Sequence, residues 1–354
     1  MKNKGIIFLI ILLAILVIVA GVLLAMKVIN NKVDSSQNSP NGVISLGVDS
    51  GKEKEDDEIK DTTINVYNGN SRPIAVMIDN NKSAWPQAGL NDAYIVYEII
   101  VEGGETRLMA LFKGKDLSKI GPIRSSRHYF LDYAMENDAI YVHYGWSPQA
   151  ESDISTYKVN NINGISESSK NFWRVKDKKS PHNAVTSTKN ILNMANSKKY
   201  RTTSNQKSVL NYKKEEVNLE EGILANKVKI PYSTSNTVSY KYNEETKKYE
   251  RTSKGTLQKD WDSKEIVSTK NIIITFSQNY TLQDVEKKDR QGLKNIGEQK
   301  GYYITNGKAI QITCNKSSRT AKTIYKDLSG NEIDVNDGNT FIQICPIDAK
   351  VVIE

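Results

Sequence analysis

The three histidines of the chain, His128, His143 and His182, stand near Glu98, Glu102, Glu105, Arg107, Arg124 and Arg127 along the sequence. Carboxylates and imidazoles are the side chains that most readily move protons near neutral pH. Glu102 lies at a strand end beside Gly103-Gly104, and His143 just precedes Gly145-Trp146-Ser147-Pro148. His182-Asn183 falls in a loop ahead of a helical pattern. Such loop and strand-end positions are where a scaffold presents working groups. A cleft uniting Glu98, Glu102, Arg107, Arg124, Arg127, His143, His182 and Asn183 is therefore the candidate ligand-binding site. Hydrolysis is the alternative, with Glu98 or Glu102 as acid or base and His143 or His182 as helper or metal ligand. An ordinary ion-pair network of Arg124 and Arg127 with Glu98 or Glu102 uses the same residues and makes no site.

Other chemistries find no support. The chain has no zinc-protease helix motif, Walker loop, glycine-rich dinucleotide turn or G-x-S-x-G elbow. Ser155–Lys158 and Ser204–Lys207 satisfy S-x-x-K spacing, but no K-T-G partner exists. Asp334-Val335-Asn336-Asp337-Gly338 misses calcium-loop spacing by one residue, and turn chemistry explains it better. Trp146 and Trp173 suit either sugar stacking or ordinary packing. Cys314 and Cys345 lie in strand-like runs, open to a disulfide or to two buried thiols. No metal and no cofactor is expected.

The elements that position these residues change in grain along the chain. From Arg72 to about Tyr200, Ile74–Ile78 reads as a buried strand ending at Asp79-Asn80-Asn81, and Tyr94–Val101 and Arg107–Phe112 flank the Gly-Gly turn as paired strands. Alternation along the first of these puts Glu98 on the face of Tyr94 and Val96, opposite Tyr97. Ser126–Asn137 has helical spacing, with Ser125 or Ser126 as N-cap. Ala139–Tyr144 returns as a strand, Pro148 opens a helix to Tyr157, and Ser187–Lys199 is a further helix. After about Thr203 the pattern turns to β. Val238–Tyr242 pairs with Lys248–Arg251, and Asn306-Gly307 is the strongest hairpin signal in the chain. The expected class is α+β: an N-terminal mixed α/β module over 71–203, then a β-rich module over 204–354.

Ahead of both lies an uncharged apolar run, Gly5 to Met26. At about 1.5 Å of rise per residue it reaches roughly 33 Å, enough to cross a bilayer's hydrocarbon core. Lys2 and Lys4 precede it, so the positive-inside bias places the rest of the chain outside the cytoplasm. The run exceeds a signal-peptide core. Ile18 and Leu23 stand two positions before Ala20 and Ala25, where a cleavage site wants small residues. Residues 1–27 are thus expected to be a single-pass transmembrane signal anchor, and 28–70, with Ser35–Gly42 and the charge run Lys52–Asp61, a disordered linker. The net charge is +8, of which Lys2, Lys4 and Lys27 belong to the anchor region. The mildly basic remainder suits an anionic wall or membrane surface, and its scattered lysines give no reason to expect nucleic acid.

Several of these segments also resemble, in order, the YerB-like lipoprotein family, a domain of unknown function in N- and C-terminal modules. They are Arg72–Asn80, Tyr97–Arg107, Ile120–Arg127, Tyr141–Pro148, Phe172-Trp173-Arg174 and Pro181-His182-Asn183. Looser likeness follows at Tyr249-Glu250-Arg251 and Gly338–Ile342. The resemblance implies a cell-surface protein of Gram-positive type with two modules in an α+β arrangement, and no established activity. The chain departs from the family's frequent lipid-modified cysteine by offering the apolar run instead. It also has Thr256–Asp260 where relatives tend to have a His after the Tyr-x-Arg strand. The expectation is a membrane-anchored, outward-facing envelope protein that binds a wall-derived ligand or a partner of the wall machinery. A structural assembly scaffold is the third possibility.

Overall fold

The computed structural model describes residues 63–283 and 286–354. The expected anchor, 1–27, and most of the expected linker lie outside the described residues. Among those described, no helix is long and apolar enough to cross a membrane.

The first half supplies β1 (Ile74–Asp79), β2 (Ile95–Ile100), β3 (Thr106–Phe112), β4 (Ile140–His143) and β5 (Asn161–Asn163). Its helices are α1 (His128–Glu136), α2 (Pro148–Thr156) and α3 (Thr188–Ser197). The second half supplies β6 (Lys227–Pro231), β7 (Thr237–Asn243) and β8 (Lys248–Ser253), then β9 (Asn271–Thr281), β10 (Gly297–Thr305), β11 (Lys308–Lys316), β12 (Ile324–Asp327) and β13 (Thr340–Pro346). One sheet runs through both halves in the order β12-β11-β10-β9-β13-β2-β3-β1-β4-β5. The seam is β13, parallel to β2 on one side and to β9 on the other. The expected α+β character holds, with strands dominating and few helices. The segments 71–203 and 204–354 contribute to one sheet.

Every residue of β1, β2, β3 and β13 is buried. That is why these segments read as continuous apolar runs rather than alternating ones. On one sheet face, Tyr129, Phe130 and Tyr133 of α1 and Ile154 of α2 cluster with Met77, Tyr97, Ile273 and Ile342. On the other, the antiparallel β6-β7-β8 sheet and α3 bring Val228, Ile230, Val238, Tyr240, Ile191 and Met194 against Val76, Val96 and Phe341. Strand β6 alternates exposed Lys227 and Lys229 with buried Val228 and Ile230, the signature of a sheet wet on one side.

The caps differ in part from expectation. Ser147 and Ser187 cap α2 and α3 by accepting from Ala150 N and Asn190 N. Helix α1 has Arg127 at its N-cap, with no side-chain cap bond. Neither Ser125 nor Ser126 takes that place, because the Ser126 hydroxyl accepts from Tyr141 and the Ser125 hydroxyl donates to the Tyr144 carbonyl. Residues 64–70, the end of the expected linker, pack onto the folded part. The Asn65 and Val66 amides donate to the Asp337 carboxylate at 2.7 and 2.9 Å, and Tyr67 stacks edge-on against Tyr94. Asp337 thus ties down the entering chain, in keeping with a turn. Cys314 and Cys345 are free, buried thiols.

Candidate functional site

Strand β1 ends on Asp79, and β4, parallel to it, runs out into Tyr144 and Gly145. The segment Pro122–Ser126 crosses these strand ends, with Asp79 N bonded to Pro122 O, Arg124 N to Met77 O and Tyr144 N to Arg124 O. The carboxyl ends of neighbouring parallel strands are a recurrent place for ligand sites in α/β sheets. Here they hold the charged groups.

Asp79 is the hub. Its side chain is 6% exposed, and its Oδ2 lies 2.8 Å from His182 Nδ1 and 3.4 Å from Arg124 Nε. Its Oδ1 accepts from the Asn81 amide at 3.0 Å. His182 Nε2 has no hydrogen-bond partner among the described residues, and the ring is 20% exposed. The terminal nitrogens of Arg124 are likewise without a hydrogen-bond partner there. Next in the loop, Asn183 accepts from Arg174 Nη1 at 2.6 Å. The Arg174 guanidinium sits 5.2 Å over the Tyr144 ring, with Nη2 3.4 Å from the phenolic oxygen.

Behind this front stand paired charges. Arg127 grips Glu102 in a two-pronged contact, Nε to Oε1 at 2.5 Å and Nη2 to Oε2 at 3.0 Å. Burial opposes ionisation of Glu102, but the Arg127 bonds outweigh it and hold that carboxyl below its ordinary value. Arg107 pairs across the β1–β3 ladder with Asp79 and donates to Ser125 O at 2.5 Å. Burial, and then the neighbouring Arg127 charge, push its pKa down to about 10.

Residues 62–201 match the N-terminal domain, and 228–342 the C-terminal domain, of DUF3048, described as a protein of unknown function. The chain is 30% identical over 293 residues to a Bacillus subtilis (strain 168) protein named "Putative lipoprotein YerB", across 79% of this chain and 83% of that protein. The chain belongs to the DUF3048 family. The crystal structure of Bacillus subtilis YerB matches with a TM-score of 0.71 at 28% identity, over 80% of this chain and 94% of that one.

In this DUF3048 protein the eight expected site residues fall into two sets. Glu102, Arg107, Arg124, Arg127, His182 and Asn183 gather around the ends of β1 and β4. Glu98 and His143 do not join them. Glu98 is closed to solvent, its Oε2 2.7 Å from Arg251 Nη2 and its Oε1 accepting from Asn80 and Thr106. His143 is equally closed, its Nδ1 2.8 Å from Gly145 O and its Nε2 3.2 Å from Asn161 Oδ1. Burial, first of all, lowers its pKa. Both side chains are enclosed in the interior, so neither faces a substrate. Among the described residues, no group of three or more His, Cys, Asp or Glu side chains converges as a metal would require.

Asp79 and Arg174 belong to the site and were not among the residues expected there. Asp79 reads as a turn residue in the sequence, and Arg174 appears there only within the family-like segment Phe172-Trp173-Arg174, with no role attached. The available signal for Asp79 was an acid closing a fully apolar strand, a costly place for a charge without partners.

Proposed function

We propose that this DUF3048 protein is an envelope-associated, extracytoplasmic binding protein whose Arg124–His182–Arg174 face takes an anionic ligand of the cell wall. One observation carries the reading: among the described residues neither terminal nitrogen of Arg124 has a hydrogen-bond partner, and its Nε lies beside a carboxylate it shares with His182. Arginine offers a planar fork of donors suited to carboxylate and phosphate oxygens. Arg174 adds a second guanidinium, without a carboxylate partner among the described residues and held by Asn183 and Tyr144. The envelope setting rests on the apolar run Gly5–Met26 as membrane anchor and on the likeness to a protein named as a lipoprotein.

The test is co-sedimentation of the full-length protein, in non-ionic detergent, with purified Gram-positive walls. Native walls are expected to carry it down, and walls chemically stripped of phosphate polymers and free carboxylates are not. Retention that is equal on both kinds of wall, or absent from both, contradicts the reading.

A further inference from the structure

In its neutral form His182 presents to the anion face a lone pair that an anion alone leaves unused. Asp79 Oδ2 lies 2.8 Å from its Nδ1. An ionised carboxylate only accepts hydrogen bonds, so it fixes the proton of the neutral ring on Nδ1. The other nitrogen, Nε2, is then a bare lone pair at a half-buried, reachable position, with no protein donor within reach among the described residues. A lone pair aimed at an anionic oxygen is repelled, whereas one aimed at an O–H accepts a hydrogen bond.

Charge narrows the ligand further. Arg127 and Glu102 neutralise each other in their two-pronged contact. Of the remaining groups, Arg107 and Arg124 lie against one carboxylate, Asp79, and Arg174 is held by the neutral Asn183 and Tyr144. Two positive charges stay unmatched. A single carboxylate supplies half of that, while a phosphate monoester supplies about 1.5 to 2 negative charges near neutral pH.

Resting on the anion-binding reading above, we infer that the ligand is a polyol or sugar phosphate, its phosphate held by Arg124 and Arg174 and an adjacent hydroxyl donating to His182 Nε2. Asp79 is then a positioning residue. It touches no ligand and sets which nitrogen of His182 accepts.

The test is isothermal titration of the full-length protein in non-ionic detergent at pH 8.5, where imidazoles are largely neutral. The probes are glycerol 3-phosphate, propyl phosphate, which lacks the hydroxyls, and inorganic phosphate. Glycerol 3-phosphate is expected to bind roughly tenfold tighter than propyl phosphate, the worth of one well-made hydrogen bond. In Asp79→Asn the amide can donate to Nδ1 and free the other tautomer. The preference of glycerol 3-phosphate over propyl phosphate is then expected to collapse. Nitrogen-15 NMR of His182 in the unmutated protein gives a check independent of how the variant folds: Nε2 is expected to resonate as an unprotonated nitrogen. Equal affinity for glycerol 3-phosphate and propyl phosphate, or a protonated Nε2, overturns the hydroxyl assignment and leaves the anion face standing. Absence of binding by all three phosphates overturns both.

Discussion

Glu98 and Arg251 form a fully enclosed ion pair 2.7 Å long between the large sheet and the small one. Gln258 accepts from Arg251 Nη1, and Asn80 and Thr106 donate to Glu98, so the pair sits inside a hydrogen-bonded network. Burial works against the Arg251 charge, yet Glu98 more than compensates and its pKa ends above the ordinary value. Removing one partner leaves a buried, uncompensated charge. Glu98→Gln is expected to cost about 3–5 kcal/mol in chemical denaturation, and the double variant Glu98→Gln with Arg251→Met to recover most of it. A second expectation concerns His128, whose pKa burial depresses from 6.5 to about 4, with Arg319 and Arg127 acting in the same direction against Asp153. The folded state therefore refuses a proton that the unfolded chain accepts below about 6.5. This contribution is complete above that pH and drains away as pH falls toward 4. His128→Gln is expected to flatten the acid limb of a stability-versus-pH curve by on the order of 2 kcal/mol, allowing for the ring's partial exposure. At this scale the sequence displayed Glu98 as an acid on an inner strand face. It hid the partner, because Arg251 lies 153 positions away and only the fold brings them together.

Local elements were legible where the signal is local. The Asn306-Gly307 hairpin forms as its residues require, with φ of 49° and 74°, the left-handed pair of a tight two-residue turn. A Cβ on Gly307 would meet the Tyr242 ring at 3.1 Å and Asn226 Oδ1 at 3.2 Å. Gly307→Ala is expected to lower stability by about 1–2 kcal/mol, read as a reduced melting temperature with unchanged ligand binding. The α2 and α3 helices were readable for the same reason. The α1 cap was not, since tertiary partners claim both serines. Parallel pairing of β13 with β2 and β9 leaves no trace at either strand, as each is an apolar run compatible with many neighbours. Six of the eight expected residues lie in one region, while His143, the last residue of β4, turns into the interior.

Across the whole molecule, the halves matched by the two family domains share one sheet, and the site forms from the first half at the carboxyl ends of β1 and β4. The second half contributes behind it, through the Arg251 pair and through Lys254, which bonds to Glu105. Arg107, Arg124 and Arg174 bring positive charge to that end of the sheet, with Arg124 sharing Asp79 with His182 and Arg127 cancelled by Glu102. If this face exists to hold an anion, the free fork of Arg124 is its decisive part. The direct measurement is the affinity of the full-length protein for glycerol 3-phosphate with Arg124 intact and as Arg124→Gln. Loss of binding by about tenfold or more, with an unchanged melting temperature and a weaker salt dependence, is the result predicted. Affinity and salt dependence that both match those of the unmutated protein would contradict the account.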